Sequence, residues 1–124
     1  MKLSIFGSTG GTGRELVKQA LDLGHQVRAF ARNPARIGDL QNQDLEVVQG
    51  DVLKLDDVEY AVVACEAVFM AIGAGPKRTN VRERGTMNII EAMKKSGVKR
   101  LICQSSLGVG DSRPNLRLFT RYVI

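Results

Sequence analysis

A doubly wound α/β fold is what this sequence predicts: a parallel sheet of strand order 3-2-1-4-5 in the middle of a three-layer α/β/α sandwich. Three observations carry that reading. Short apolar runs alternate along the chain with longer segments of helical period, the pattern of strands joined by crossover helices. The fourth and fifth runs are almost continuously apolar, as strands covered on both faces are. A glycine cluster, "GSTGGTG" from Gly7 to Gly13, stands between the first apolar run and the first helical segment.

The elements follow in order. "KLSIF" (2–6) reads as a buried strand. Leu16, Val17, Ala20 and Leu21 then form one face of a helix, which Gly24 ends in the C′ position. "QVRAFA" (26–31) alternates and is the second strand, and Pro34 in "NPARI" opens a short turn or helix. "LEVVQ" (45–49) is the third strand, ended by Gly50. Leu55, Val58 and Val62 mark a second long helix, with Asp56 and Asp57 near its positive end. "AVFMAI" (67–72) is the fourth strand. Gly85, Ile89 and Met93 stripe the next helix beside Thr86 and Ile90; Lys94 and Lys95 occupy its last turn and Gly97 ends it. "RLICQ" (100–104) is the fifth strand. After Pro114, Leu116, Leu118, Phe119, Tyr122 and Val123 form a helical face with no cap or polar tail beyond it. The fifth strand also lacks a sixth neighbour. Residues 1–124 therefore read as the N-terminal part of a longer single-domain protein, truncated at its C-terminus; a complete domain with a docked helix or dimer interface there is the competing reading.

Composition narrows the function classes. Apolar residues make up 44% of the 124 positions and charged residues 25%, ordinary for a soluble globular domain. No apolar run approaches the roughly 20 residues a membrane helix needs, and the start carries no secretory h-region. Cys65 and Cys103 are far apart and form no CxxC pair, so reduced thiols and a cytoplasmic location are expected. His25 is the single histidine, which rules out a multi-histidine site in this chain, and no metal is expected. The net charge of +5 contains no run of five basic residues, and there is no tryptophan. An anionic small molecule is the expected partner, with neither nucleic acid nor membrane.

The glycines point to phosphate. Gly7 permits a tight turn out of the first strand. Gly10 and Gly11 leave the main chain bare, so a pyrophosphate reaches its N–H groups, and Gly13 lets the helix lie close on the sheet. The helix N-terminus adds about half a positive charge. Ser8, Thr9 and Thr12 are placed to donate hydroxyl hydrogen bonds to phosphate oxygens. The spacing is GxxGxxG; no Gly-Lys-Ser/Thr follows, so it is not a P-loop. Its position between first strand and first helix makes it a Rossmann-type dinucleotide signature. The end of the second strand, where proteins choosing NAD place a carboxylate for the ribose 2′-hydroxyl, here carries Arg32, with Arg36 close behind and Asp39 the nearest acid. A guanidinium fork suits a 2′-phosphate, which predicts NADP (NADPH) over NAD. Asp51 in "GDV" is placed to accept a hydrogen bond from the adenine amino group and Val52 to cover the ring, although a plain turn role for Asp51 competes. "AIGAG" (71–75) offers small residues beside the ribose and nicotinamide.

"FGSTGGTG", "ARNPAR", "GDV" and "GTMNIIEAMKKSGVKRLICQSS" together resemble the atypical short-chain dehydrogenase/reductases, most closely the NAD(P)H-binding group that includes flavin reductase-like and NmrA-like proteins. The likeness runs from about Lys2 to Ser106. It implies a diphosphate loop at Gly7, Gly10 and Gly13, a 2′-phosphate clamp at Arg32 and Arg36, and adenine contacts at Asp51 and Val52. It also implies a cofactor-side loop at Ala71, Ile72 and Gly73, and a residue near nicotinamide and substrate at Ser106. The Tyr-x-x-x-Lys pair that many short-chain enzymes use is missing: the partner of Tyr122 would be position 126. Tyr122 and Tyr60 are therefore expected to be structural. The function implied is an NADPH-dependent oxidoreductase passing hydride to a flavin, quinone or similar planar acceptor, a small-molecule substrate. A non-catalytic NADP-sensing regulator and a sugar-nucleotide epimerase or dehydratase relative are the alternatives.

Overall fold

Five parallel strands form one sheet: β1 (Lys2–Phe6), β2 (Gln26–Ala31), β3 (Leu45–Gln49), β4 (Ala67–Met70) and β5 (Arg100–Cys103). Their order is β3-β2-β1-β4-β5, as the sequence predicts. The computed structural model describes residues 1–7, 11–37, 42–71 and 79–103. The expectations placed on Ser8, Thr9, Gly10, Ile72, Gly73, Ser106 and the segment after Pro114 lie outside the described residues, as do those on the side chains of Thr12 and Arg36. β1 is central: it pairs with β2 from Lys2↔Gln26 to Phe6↔Phe30 and with β4 from Leu3↔Ala67 to Phe6↔Met70.

Strand alternation divides the core between two faces. On one, Leu3, Ile5, Val27 and Ala29 pack with Leu16, Val17 and Ala20 of α1 (Gly11–Asp22). On the other, Phe6, Phe30, Val68 and Met70 pack with Val58 and Val62 of α2 (Leu55–Val62) and with Ile89 and Met93 of α3 (Thr79–Ser96). Phe6 and Phe30 meet there in a tilted pair, ring centroids 4.8 Å apart. So α1 leaves β1 toward one face, while the helices flanking β4 lie on the other.

Two helices end on glycine. Gly24 has φ +86°; its N–H donates to Leu21 O and the His25 N–H to Ala20 O, both at 3.0 Å. That is a Schellman closure, which needs a left-handed residue. Gly97, φ +75°, ends α3 in the same way, with the Val98 N–H on Met93 O at 3.0 Å.

The second long helix of the sequence reading is short: α2 has eight residues. It ends without glycine, Ala64 taking the left-handed conformation at φ +64°. Its last carbonyls are satisfied by a side chain of the sheet beneath it. Arg28 Nη1 lies 3.0 Å from Tyr60 O, 3.1 Å from Ala61 O and 2.8 Å from Val63 O. Arg28 Nε donates to Glu46 Oε1 at 3.1 Å, and the guanidinium sits 5.8 Å from the Tyr60 ring centroid. A cation beside a helix C-terminus also complements its partial negative charge. Arg28 shares the sheet face of Phe30, which α2 covers, and is only 7% exposed; every β2 residue after Gln26 is buried, so the alternation in β2 is between two covered faces.

Candidate functional site

Neighbouring strands whose connections depart to opposite faces leave a crevice at their carboxyl ends. Here that place is the β1–β4 seam. Gly7 follows Phe6 with φ +80°, a conformation an L side chain rarely adopts, so the tight turn out of β1 does require glycine. Across from it, the Ala71 N–H donates to Phe6 O at 2.9 Å, carrying the ladder one residue past β4. The floor of the crevice is therefore hydrogen-bonded main chain, flanked by a glycine and an alanine. Gly11 and Thr12 open α1, and Gly13 is buried in its first turn.

The β2–β3 seam extends toward the same end. The Gly50 N–H donates to Ala31 O at 3.1 Å, and Gln49 Nε2 donates to Arg32 O at 3.4 Å. Arg32 is thus held by its main chain while its side chain is exposed, and its guanidinium makes no hydrogen bond or ion pair among the described residues. Beyond it, Asn33 Oδ1 accepts the Ala35 N–H at 3.2 Å, capping a 3-10 turn over Pro34–Arg36.

The "GDV" turn is tightly built. Gly50 is bare for a packing reason: a Cβ there would lie 2.7 Å from Phe30 Cε2. The Asp51 N–H donates to Asp57 Oδ2 at 3.0 Å, while Asp51 Oδ1 accepts the Leu53 N–H at 2.9 Å. The turn contacts weighed for Asp51 are therefore present. Val52 is buried; its carbonyl accepts from Asn88 Nδ2 at 2.9 Å, and a Cβ on Gly85 would meet its Cγ2 at 2.9 Å. Gly85 thus lets α3 lie against this turn. Asp57, read from the sequence only as a carboxylate at the helix start, is a supporting residue of this turn, and so are Asn88 and, beyond Arg32, Asn33. Only Asn33, directly before Pro34, carried a local capping signal.

The remaining features lie elsewhere. A cavity of about 230 Å³, lined by Leu3, Ile5, Leu16, Ala20, Phe69 and Ile102, opens on the α1 face with Met1, His25 and Arg100 at its rim, toward the amino ends of the strands. Cys65, also at that end, has its thiol pushed up by burial, partly opposed by the charges of Arg28 and Lys2. Among the described residues no three His, Cys, Asp or Glu side chains cluster as metal ligands, and no helix is long and apolar enough to cross a membrane.

A strand-end crevice, a left-handed glycine at Gly7 and a helix opening at Gly11 match a known pattern. The model of the NAD(P)H-binding family fits residues 7–123. The chain belongs to that family. A solved Rossmann-fold NAD(P)-binding family protein from Shigella flexneri is 28% identical, covering 91% of this chain and 56% of its own, with a TM-score of 0.75. The NADPH-dependent quinone oxidoreductase QOR2 of Escherichia coli, solved with NADPH, is 26% identical over 83% of this chain and 36% of its own, with a TM-score of 0.71. The photosystem II assembly factor Ycf39 of Synechocystis is 30% identical over 86% of this chain and 34% of its length. This NAD(P)H-binding chain spans about a third to a half of the length of the curated relatives it matches. It is an oxidoreductase-family domain of Rossmann architecture, in the group the sequence resembles.

Proposed function

We propose that this domain binds NADPH in preference to NADH and serves an oxidoreductase that reduces a small planar acceptor such as a flavin or quinone. One observation carries the cofactor preference. Arg32, at the carboxyl end of β2, presents an exposed guanidinium where an NAD-selective domain places a carboxylate. A planar fork of donors binds a ribose 2′-phosphate in bidentate fashion, and a carboxylate would repel it. The rest of the site fits a dinucleotide. Gly7 and the opening of α1 would hold the diphosphate, together with Ser8, Thr9, Gly10, Gly11, Thr12 and Gly13. Asp51 and the main chain at Val52 would border the adenine, and Ala71, Ile72 and Gly73 the ribose and nicotinamide. Arg36 would reinforce Arg32, and Ser106 would meet the substrate side. The bound dinucleotide supplies the hydride; the protein supplies its orientation.

The Escherichia coli quinone oxidoreductase supports the reductase reading. The likeness to an assembly factor supports a second one, in which the dinucleotide is a regulatory ligand without turnover. Steady NADPH oxidation with flavin or quinone by the full-length protein would exclude a pure sensor; tight NADPH binding without oxidation would favour it. The cofactor preference is tested by titrating NADPH and NADH against Arg32→Asp. The variant is expected to weaken NADPH by about 100-fold or more, the scale of truncating a charge pair, with NADH little changed. Equal losses for the two would refute the 2′-phosphate role.

A further inference from the structure

We propose that Asn33 is a positioning residue for dinucleotide selectivity, acting through the backbone that carries Arg32. This inference rests on the reading of Arg32 as the 2′-phosphate contact. The chain leaves β2 at Ala31 and is fixed on both sides of the arginine. Before and at Arg32, β3 holds it: the Gly50 N–H on Ala31 O at 3.1 Å and Gln49 Nε2 on Arg32 O at 3.4 Å. After Arg32, Asn33 holds it. Its backbone is extended, φ −121° and ψ 94°, and its Oδ1 accepts the Ala35 N–H at 3.2 Å. Pro34 sits at the first helical position, where its fixed φ favours the turn. The far end is anchored by Ile37, fully buried, whose N–H donates to Pro34 O at 3.0 Å.

The physical consequence is local. Gln49 is an exposed residue on an edge strand, and its bond at 3.4 Å is a weak restraint. Without the Asn33 cap, the turn between Arg32 and the buried Ile37 loses the side-chain acceptor that selects its conformation, and the main chain at Arg32 gains freedom. A long side chain held on a loose backbone gives up part of its binding energy in being ordered. Only a ligand that uses the guanidinium feels this. Asn33 therefore separates NADPH from NADH without needing to touch either.

The test measures dissociation constants for NADPH and NADH on Asn33→Ala, Asn33→Ser and Arg32→Asp, with the thermal midpoint of each. Asn33→Ala should lower the ratio of NADPH to NADH affinity about fivefold, the scale of a lost cap, with NADH binding unchanged. Asn33→Ser, which keeps an uncharged acceptor at the cap, should restore most of the ratio. A ratio untouched by Asn33→Ala while Arg32→Asp collapses it would overturn the role of Asn33 and leave the Arg32 reading standing. Equal losses of both nucleotides in Asn33→Ala, or a serine variant no better than alanine, would also overturn it. A ratio unmoved by Arg32→Asp would bring down both.

Discussion

Arg28 lies within β2 and Arg32 directly after its last residue, four positions on, and the molecule uses them in opposite ways. Arg28 is 7% exposed and lies within hydrogen-bonding distance of one carboxylate oxygen and three carbonyls. Arg32 is exposed and partnered, among the described residues, only through its main chain. The first is consumed by the fold; the second is offered to something else. The same division separates the two ends of the sheet. At the amino end, α2 finishes over the strands and needs its carbonyls neutralised. At the carboxyl end, glycine and alanine leave the main chain open. A saturated arginine reports on architecture; the exposed one is the residue on which the proposed 2′-phosphate contact rests.

The contrast can be broken most severely at Arg28. Arg28→Met keeps the length and apolar stem but leaves the carbonyls of Tyr60, Ala61 and Val63 without their donor. Urea unfolding should show a loss of about 3 kcal/mol. The exposed half of the Glu46 pair contributes little to that figure, since Glu46 is 49% exposed. Arg32→Met, in the same measurement, should change stability by less than about 0.5 kcal/mol. Comparable losses would erase the distinction between the two arginines.

Gly85→Ala sharpens the picture at the open end. The added Cβ would meet Val52 Cγ2 at 2.9 Å, and the branched valine, already buried, has little room to turn. A loss of about 1–2 kcal/mol is expected by thermal or urea unfolding. An unchanged midpoint would mean that α3 shifts freely over the "GDV" turn.

The smallest effect belongs to Cys65. Its thiol is raised by burial, so the folded state favours the neutral form. That contribution is fully present below the unfolded thiol's pKa, about 8.5, and fades as pH rises through the higher folded value. Cys65→Ala should accordingly flatten the alkaline decline of stability above the unfolded thiol's pKa. In the native protein the thiol should react with alkylating reagents only slowly near neutrality. Rapid labelling would show that burial does not protect it.

Local signals account for what the sequence made legible. Strand limits came from apolar runs bounded by turn residues, and α1 and α3 end where Gly24 and Gly97 take positive φ. Gly7 could be assigned because a glycine directly after a strand has few other uses. Arg28 was not legible in this way: its carbonyl partners lie 32 to 35 residues away and Glu46 lies 18 away, so nothing local to β2 announces them. α2 ends at Val62, the last residue of its apolar stripe, but no stop signal marks the place. Ala64 takes the left-handed conformation that is ordinarily glycine's. Val52 and Gly85 belong together across α3, a pairing that appears only once the helix is docked. At the candidate site, residue types were readable while their support by Asp57, Asn88 and Asn33 was not, because those bonds depend on how turns fold against neighbouring elements.

The seam joining Phe6 to Ala71 has a bearing on how such a protein diverges. A crevice floored by peptide groups asks almost nothing of the side chains around it, because every residue owns the same amide. Drift can replace most of the surrounding sequence and still preserve the geometry, as the Shigella flexneri protein illustrates with 28% identity and a TM-score of 0.75. The lineage is free to vary what sits above the floor by altering the walls.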